Sequence, residues 1–423
     1  MNVFRSIGLM SGTSMDGIDA VLLETDGYHH IKQIGKLSIK YEPEFKILLK
    51  SIEYAVRQEK GNLKLAELHY NKYLEEYLKI TYETSSEIIQ KLSRYLYKTE
   101  NCQINFKDIA EHSTFLHEKV TINLIENLNF DSFEIDVIGY HGQALYHSPS
   151  EKITIQVGDG QKLANNLKIK VVNNFRINDI KNGGQGAPLA PLYHQALAVR
   201  DSNYPLIVLN CGGIANLTLI SGADIDEVIG FDTGPGNVLV DKYIRIFTEN
   251  KEFMDKDGKY GMQGKVDESI LKEFHQNSIV KDGINYFNQL PPKSLDSGDC
   301  SLLKIINNLE FQDACATLEA FTAYTIIDSL KLIQKSIPKK WILAGGGWNN
   351  PVITKMLKKY LHEKLGEDYQ IAKADEIGWD SEYMEAEIFA YLAVRSLKNL
   401  PISYPSTTKC KSPSLGGDLF DFN

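Results

Sequence analysis

Short apolar runs bounded by glycine turns alternate along this chain with longer stretches in which apolar residues recur at three- and four-residue spacing. That is the pattern of an α/β protein. Strands are predicted at Phe4–Met10, Ile18–Glu24, Asp136–Tyr140, Ile153–Val157, Leu206–Asn210, Leu217–Ile220 and Trp341–Ala344. Helices are predicted at Glu44–Gln58, Leu65–Leu92, Pro188–Val199, Gly236–Phe247, Ala314–Gln334, Pro351–Leu365 and Tyr383–Leu397. Two segments, Ile7–Leu22 and Ile207–Leu219, share one plan of apolar strand, glycine-containing turn and apolar strand. They suggest a duplicated fold with a ligand cleft between its halves. Hairpins in any α/β protein look alike, so the pattern alone leaves this open. Between Thr84 and Leu128 the chain is polar, rich in Lys and Glu and poor in Gly, and it reads as helical decoration away from an active site.

Composition narrows the picture. A chain of 423 residues, 43% apolar and 24% charged, is too long for one compact core, so two domains are expected. A formal net charge of −9 argues against phosphate-backbone binding and hence against a nucleic-acid partner. Met1–Arg5 lead straight into the apolar Ser6–Met10, without a signal peptide, and no apolar run approaches membrane-spanning length. A cytoplasmic location with no membrane partner is expected. Cys102, Cys211, Cys300, Cys315 and Cys410 are never spaced as a metal knuckle and read as reduced and structural.

Three groups of residues could carry chemistry. Ser11–Asp19 reads Ser-Gly-Thr-Ser-Met-Asp-Gly-Ile-Asp between two apolar strands. Gly12 and Gly17 permit backbone angles that let N–H groups converge on an anion, and Thr13 and Ser14 add hydroxyls, so the string can cradle phosphate. No Gly-Lys-Ser/Thr follows and the next element is a strand, which excludes a Walker loop and a dinucleotide fingerprint. Asp16 or Asp19 could hold magnesium through carboxylate oxygen. Taken alone, the simpler reading is a tight hairpin. In the second group Arg176 and Asp179 precede Gly183-Gly184-Gln185-Gly186-Ala187-Pro188. The glycines admit a ligand to the backbone, Arg176 can pair with an anion, and Asp179 is placed as a general base; its alternative is to cap the turn.

The third group comprises Cys211–Asn216, Phe231–Asn237 and Gly345–Pro351. Each puts glycines at a strand end, so Gly213, Asn216, Gly234, Gly236 and Asn237 can face phosphates while Gly346, Gly347 and Asn349 face a nucleoside. Several such turns, with no Ser/His/Asp motif and no metal-ligand spacing, favour a nucleotide site over a hydrolase. His141 and Gln156, each predicted at a strand end, are substrate-binding candidates, although a lone His is commonly a satisfied structural residue.

These segments, in this order, resemble the anhydro-N-acetylmuramic acid kinases. The resemblance covers Ile7–Asp19, His141-Gly142-Gln143, Phe175–Pro188, Asn210–Thr218, Phe231–Asp241, Pro291–Ser294, Gly345–Pro351, Met384-Glu385-Ala386 and the Tyr391–Pro401 tail, nearly the whole chain. It implies a two-domain actin-like fold of the hexokinase and sugar-kinase superfamily, with ATP and sugar in the interdomain cleft. The expected division is 1–170, completed by 398–423, and 171–397. The implied reaction opens a 1,6-anhydro sugar with water while its freed O6 takes the γ-phosphoryl group of ATP, with Mg2+. By the resemblance Asp179 is the catalytic base, Gly12, Thr13, Ser14, Met15, Asp16, Gly17, Ile18 and Asp19 cradle ATP, and the Gly345–Asn349 turn holds its adenosine end. Asp16 and Glu385 organise magnesium, and His141, Gln143, Gln156, Arg176, Gly184 and Gln185 face the sugar. A homodimer is expected on the same ground.

The chain departs from the family pattern at three places. Asn174 stands where an acidic residue is usual, Leu295–Cys300 replace a Thr-Gly-Arg-Glu loop, and the Thr84–Leu128 region is long. Two other readings are a kinase of a smaller sugar such as levoglucosan and a non-catalytic nucleotide-binding scaffold.

Overall fold

The computed structural model describes residues 2–12, 14–82, 86–99, 102–277, 279–281 and 283–423. They form two compact units, one of Met1–Gly186, Glu385–Tyr404 and Cys410–Asn423, the other of Ala187–Met384 and Pro405–Lys409. This differs from the division expected at 170/171 with a tail from 398. The reason is visible in the first unit, where Gly8 and Gly139 lie so close to the helix Met384–Leu397 that an added Cβ would be 1.9 Å from the Ala386 carbonyl and 2.0 Å from that of Phe389. Ser6 Oγ also donates to the Ala390 carbonyl at 2.8 Å. Only side-chain-free positions on the strands let a helix backbone approach this closely.

The first sheet contains β1 (Phe4–Ser11), β2 (Gly17–Thr25), β3 (Ile31–Lys40), β4 (Val137–Ser148), β5 (Ile153–Val157) and β6 (Val171–Asn173). The second contains β7 (Leu206–Cys211), β8 (Ile214–Ile220), β9 (Val228–Pro235), β10 (Lys340–Ala344) and β11 (Gln370–Lys373), and β12 (Asp418–Phe420) returns to the edge of the first. The strand orders are β3-β2-β1-β4-β6-β12 and β9-β8-β7-β10-β11. In both, an antiparallel three-strand meander is followed by two strands parallel to its first member. The two hairpins noticed in the sequence are thus the openings of two equivalent sheets. Each unit has its own core, one around Leu9, Phe45, Ile109 and Ile138, the other around Leu209, Phe231, Phe321 and Leu343.

Two expectations change on inspection. Leu65–Leu92 is not one helix but Leu63–Leu68, Tyr70–Tyr82 and Ser86–Tyr97. His69 ends the first of these, its ring bonded to Glu59 at 2.9 Å, and Tyr73 reaches the same carboxylate at 2.6 Å. Within the Thr84–Leu128 stretch, Phe106–Asn127 forms a 22-residue helix that buries Ile109, His117, Val120 and Leu124. It is a wall of the first core rather than decoration.

Burial sets the acid response. Removal from water disfavours the charged imidazolium, so His117 is held down to about 4, and His141 and His194 to about 3. The unfolded chain takes up these protons from pH 6.5 downward, so it binds more protons than the folded one and stability falls on acidification. Each such histidine contributes up to ~1.4 kcal/mol per pH unit. The urea midpoint is therefore expected to drop steadily from about pH 7 to about pH 5; a flat midpoint over that range would contradict neutral burial of these rings.

Candidate active site

The turn between β1 and β2 is short. Thr13 lies outside the described residues. Met15 takes a left-handed conformation, φ 55°, and its N–H closes onto the Gly12 carbonyl at 3.1 Å. Its side chain is fully buried, as is that of Ile18, so both anchor the turn in the core. Gly17 lies on β2, where an added Cβ would be 2.2 Å from the Ile39 carbonyl. The open part of the predicted cradle therefore includes Gly12 and the exposed Ser14 and Asp16. An added Cβ on Gly12 would meet only Ser14 Oγ, at 3.7 Å. Gln143 is wholly buried, and its Nε2 donates to the Gly12 carbonyl at 3.1 Å. This places it behind the turn as a support.

Asp179 lies on the short helix Ile177–Lys181 and is buried. Its Oδ2 accepts the Gly186 N–H at 2.6 Å and its Oδ1 the Ser403 hydroxyl at 2.5 Å. Gly184 makes room for it: an added Cβ would sit 2.2 Å from Oδ2. Arg176 supports the same loop, donating from Nη1 to the Gly186 carbonyl at 3.0 Å and from Nε to His141 Nε2 at 3.1 Å. His141 Nδ1 faces the Gly142 carbonyl at 2.8 Å. Burial, and then the neighbouring Arg176 charge, keep His141 neutral, so its Nδ1–H donates while Nε2 accepts. His141 is consequently a mid-strand, buried support and not the strand-end contact expected. Phe389 packs on its ring at a centroid distance of 4.5 Å and on Phe175 at 5.2 Å.

Asn174 has φ 61° and donates to Asp418 at 2.8 Å, tying the loop to β12. Gln156, half-buried on β5, donates to Thr154 Oγ1 at 2.6 Å, and Gln185 is half-buried in the glycine loop. Ser403, which completes the setting of Asp179, follows it by more than half the chain and carries no local signal.

In the second unit the glycines divide into two kinds. Gly212 and Gly346 face open space, with nothing within 4 Å of an added Cβ. Such bare backbone can receive a phosphate or nucleoside. Gly212 was not among the expected residues, although Gly213 beside it was. Gly234, Gly236 and Gly347 are packing glycines: their added Cβ atoms would lie 2.6 Å from Thr325 Oγ1, 2.3 Å from the Gly212 carbonyl and 2.4 Å from Cys211 Sγ. The N–H groups of Gly236 and Asn237 are bonded to the carbonyls of Gly213 and Gly212 at 2.9 and 2.8 Å. The turn before helix Val238–Phe247 therefore shapes the β7–β8 turn rather than offering those two donors itself. Asn216 pairs with Asn210 and Asp232 across the sheet. Gly345, at φ 87°, turns β10 into the exposed Gly346 and Asn349, while Trp348 is buried and donates to the Leu209 carbonyl at 3.0 Å.

The carboxylates suit magnesium unequally. Asp16 is exposed and ion-paired with Lys46. Glu385 is solvent-exposed by surface area yet closely surrounded by protein, and this desolvation raises its pKa, with Arg176 opposing and the Asp19 charge adding. Asp19 and Glu385 thus feel each other's charge, and two hard oxygen donors match what Mg2+ takes from protein in kinases. Among the described residues no group of three or more His, Cys, Asp or Glu is arranged to hold a metal. Most ligands would therefore come from water and phosphate.

Two sheets share a five-strand order, each opening on a glycine hairpin, the duplicated organisation of an actin-like fold. The profile of the anhydro-N-acetylmuramic acid kinase family matches residues 62–421. Over 425 residues the chain is 35% identical to an anhydro-N-acetylmuramic acid kinase of Methylobacterium nodulans, covering 98% of each. Over 419 residues it is 36% identical to one of Nitrobacter winogradskyi, covering 98% of this chain and 99% of the relative. The chain belongs to the anhydro-N-acetylmuramic acid kinase family and is a kinase. It is also similar to a ROK-family glucokinase of Streptomyces griseus solved with glucose and AMPPNP, at 12% identity and a TM-score of 0.37, covering 92% of this chain and 99% of that one. No helix among the described residues is long and apolar enough to cross a membrane.

The two kinds of glycine are separable by experiment. Gly347→Ala forces a methyl against Cys211 Sγ and should cost ~1–3 kcal/mol of stability. Gly346→Ala should leave the melting temperature unchanged and raise the KM for ATP. Equal melting temperatures for the two variants would refute the distinction.

Proposed function

We propose that the protein uses ATP and water to convert 1,6-anhydro-N-acetylmuramic acid to N-acetylmuramic acid 6-phosphate, serving cell-wall recycling in the cytoplasm as a homodimer. The observation that carries this reading is the family match over nearly the whole chain, beside which stands the buried Asp179 held in its glycine loop. The dimer rests on the family resemblance alone.

In this mechanism Asp179 is the general base. The Gly186 N–H and the Ser403 hydroxyl orient its two carboxylate oxygens. As that water attacks the anomeric carbon, its proton passes to Asp179, the bond from C1 to O6 breaks, O6 bonds to the γ-phosphorus, and the bond to ADP breaks. Arg176 and His141 hold the loop that orients Asp179. Gln156 and Gln185 offer partly exposed amides to sugar hydroxyls. Gly12 and Ser14 receive phosphate oxygens, as does Gly212, and Gly346 and Asn349 receive the adenosine end. Asp19 and Glu385 would hold magnesium, which offsets charge on the phosphates when bound.

Reaction in heavy-oxygen water tests this reading. With ATP, magnesium and the muramic substrate, the product should carry the label at C1 and none in the phosphate ester. Label in the phosphate, or ATP binding without any phosphosugar, would overturn it.

A further inference from the structure

The second unit buries a carboxylate that the mechanism above leaves without a role. Glu319, on helix Phe311–Ser329, is fully buried. Its Oε1 accepts from Asn350 Nδ2 at 2.5 Å, and its Oε2 lies against Gly261, 1.8 Å from where a Cβ would stand. Asp255 shares this space, accepting the N–H groups of Tyr260 and Gly261 at 2.9 and 2.8 Å.

The carboxyls of Glu319 and Asp255 both lie against Gly261, and two carboxylates placed so close disfavour each other's ionisation. Among the described residues Glu319 Oε2 meets no hydrogen-bond partner, so nothing there supports its ionised form. Burial, then Asp255, push Glu319 up to about 9, with Asn350 opposing and Asp241 adding. Cys315 is the other titratable group that interacts with it.

The partner of Glu319 has a defined task. Asn350 caps helix Pro351–Leu365, its Oδ1 accepting from Val352 and Ile353 at 2.9 and 3.3 Å, and its N–H bonds to the Gly347 carbonyl at 3.1 Å. The side-chain amide can face these donors with its oxygen only if its nitrogen is taken up elsewhere, and Glu319 takes it. Two further residues follow at three-residue spacing on the same helix face. Thr322 Oγ1 donates to the Gly236 carbonyl at 2.8 Å, and Thr325 packs on Gly234.

We propose that Glu319 is a positioning residue for ATP: bonded to Asn350 and packed beside Asp255, it fixes the cap from which the Gly345–Asn349 turn extends. This inference rests on the reading of that turn as the adenosine site. A neutral Glu319 accepts from Asn350 without opposing Asp255; an ionised one repels Asp255 and releases the segment Asp255–Gly261 from the helix start.

Steady-state kinetics of the full chain with ATP, magnesium and the muramic substrate tests it. Glu319→Ala should raise the KM for ATP about tenfold, the loss of roughly one well-made hydrogen bond, with the sugar KM within about twofold of normal. Glu319→Gln keeps a donor toward Asp255 and an acceptor toward Asn350, and should restore the ATP KM. In the wild type the ATP KM should climb above about pH 9, and in Glu319→Gln it should stay level over that range. The Gln variant keeps the test sharp if the Ala variant does not fold. A Gln variant as impaired as Ala, or one whose ATP KM climbs with pH like the wild type, overturns the proposal. So does an unchanged ATP KM in Glu319→Ala where Gly346→Ala raises it. An unchanged ATP KM in Gly346→Ala would instead remove the nucleotide from this turn, and the inference with it.

Discussion

A carboxylate withdrawn from water must have its oxygens met by donors, and in the first unit Asp179 satisfies this by drawing distant stretches of chain together. The Gly186 amide reaches one oxygen and the Ser403 hydroxyl the other. Gly184 has to be glycine because its Cα lies on the carboxylate. Arg176 then pins the Gly186 carbonyl, neutral His141 pins Arg176, and Phe389 packs over His141 and Phe175. Ser403 and Phe389 come from the segment that returns after the second unit. The setting of this carboxylate therefore depends on a chain path in which Glu385–Tyr404 folds back onto the first sheet. The capping role and the catalytic role first weighed as alternatives for Asp179 are compatible, since the same bonds that hold the turn also aim the carboxylate.

The second unit solves a related problem with a neutral acid. Helix Phe311–Ser329 buries Glu319, Thr322 and Thr325 along one face, and each touches a glycine turn or its cap. Uncharged polar contacts suit this position, because a charge buried without a countercharge would cost several kcal/mol, and a protonated Glu319 avoids it.

How much of this could be read from the sequence follows from the range of each interaction. The duplicated hairpins were legible because alternation and glycine turns are local. β3 was passed over because it is an edge strand with Lys32, Lys36 and Lys40 along it, which blunts both the apolar signal and edge pairing. β6, β11 and β12 have only three or four residues, too few to show a period. β9 was hidden by Gly230 and Gly234, which read as turn residues but serve close packing. The same ambiguity runs through the site. Gly212 and Gly346 look no different in sequence from Gly236 and Gly347, yet the first pair faces open space and the second is filled by neighbouring atoms. Ser403, Glu319 and Asn350 carry no motif, and only the tertiary contacts reveal them.

The central claim is that Asp179 takes the proton of the attacking water, and single-turnover kinetics of Asp179→Asn with saturating ATP and anhydro sugar tests it most directly. The amide keeps the side chain's shape and its oxygen still accepts a hydrogen bond, so ATP should bind as in the wild type while phosphosugar formation falls by at least about a hundredfold, the scale of a lost general base. Product formation at the wild-type rate would contradict the account.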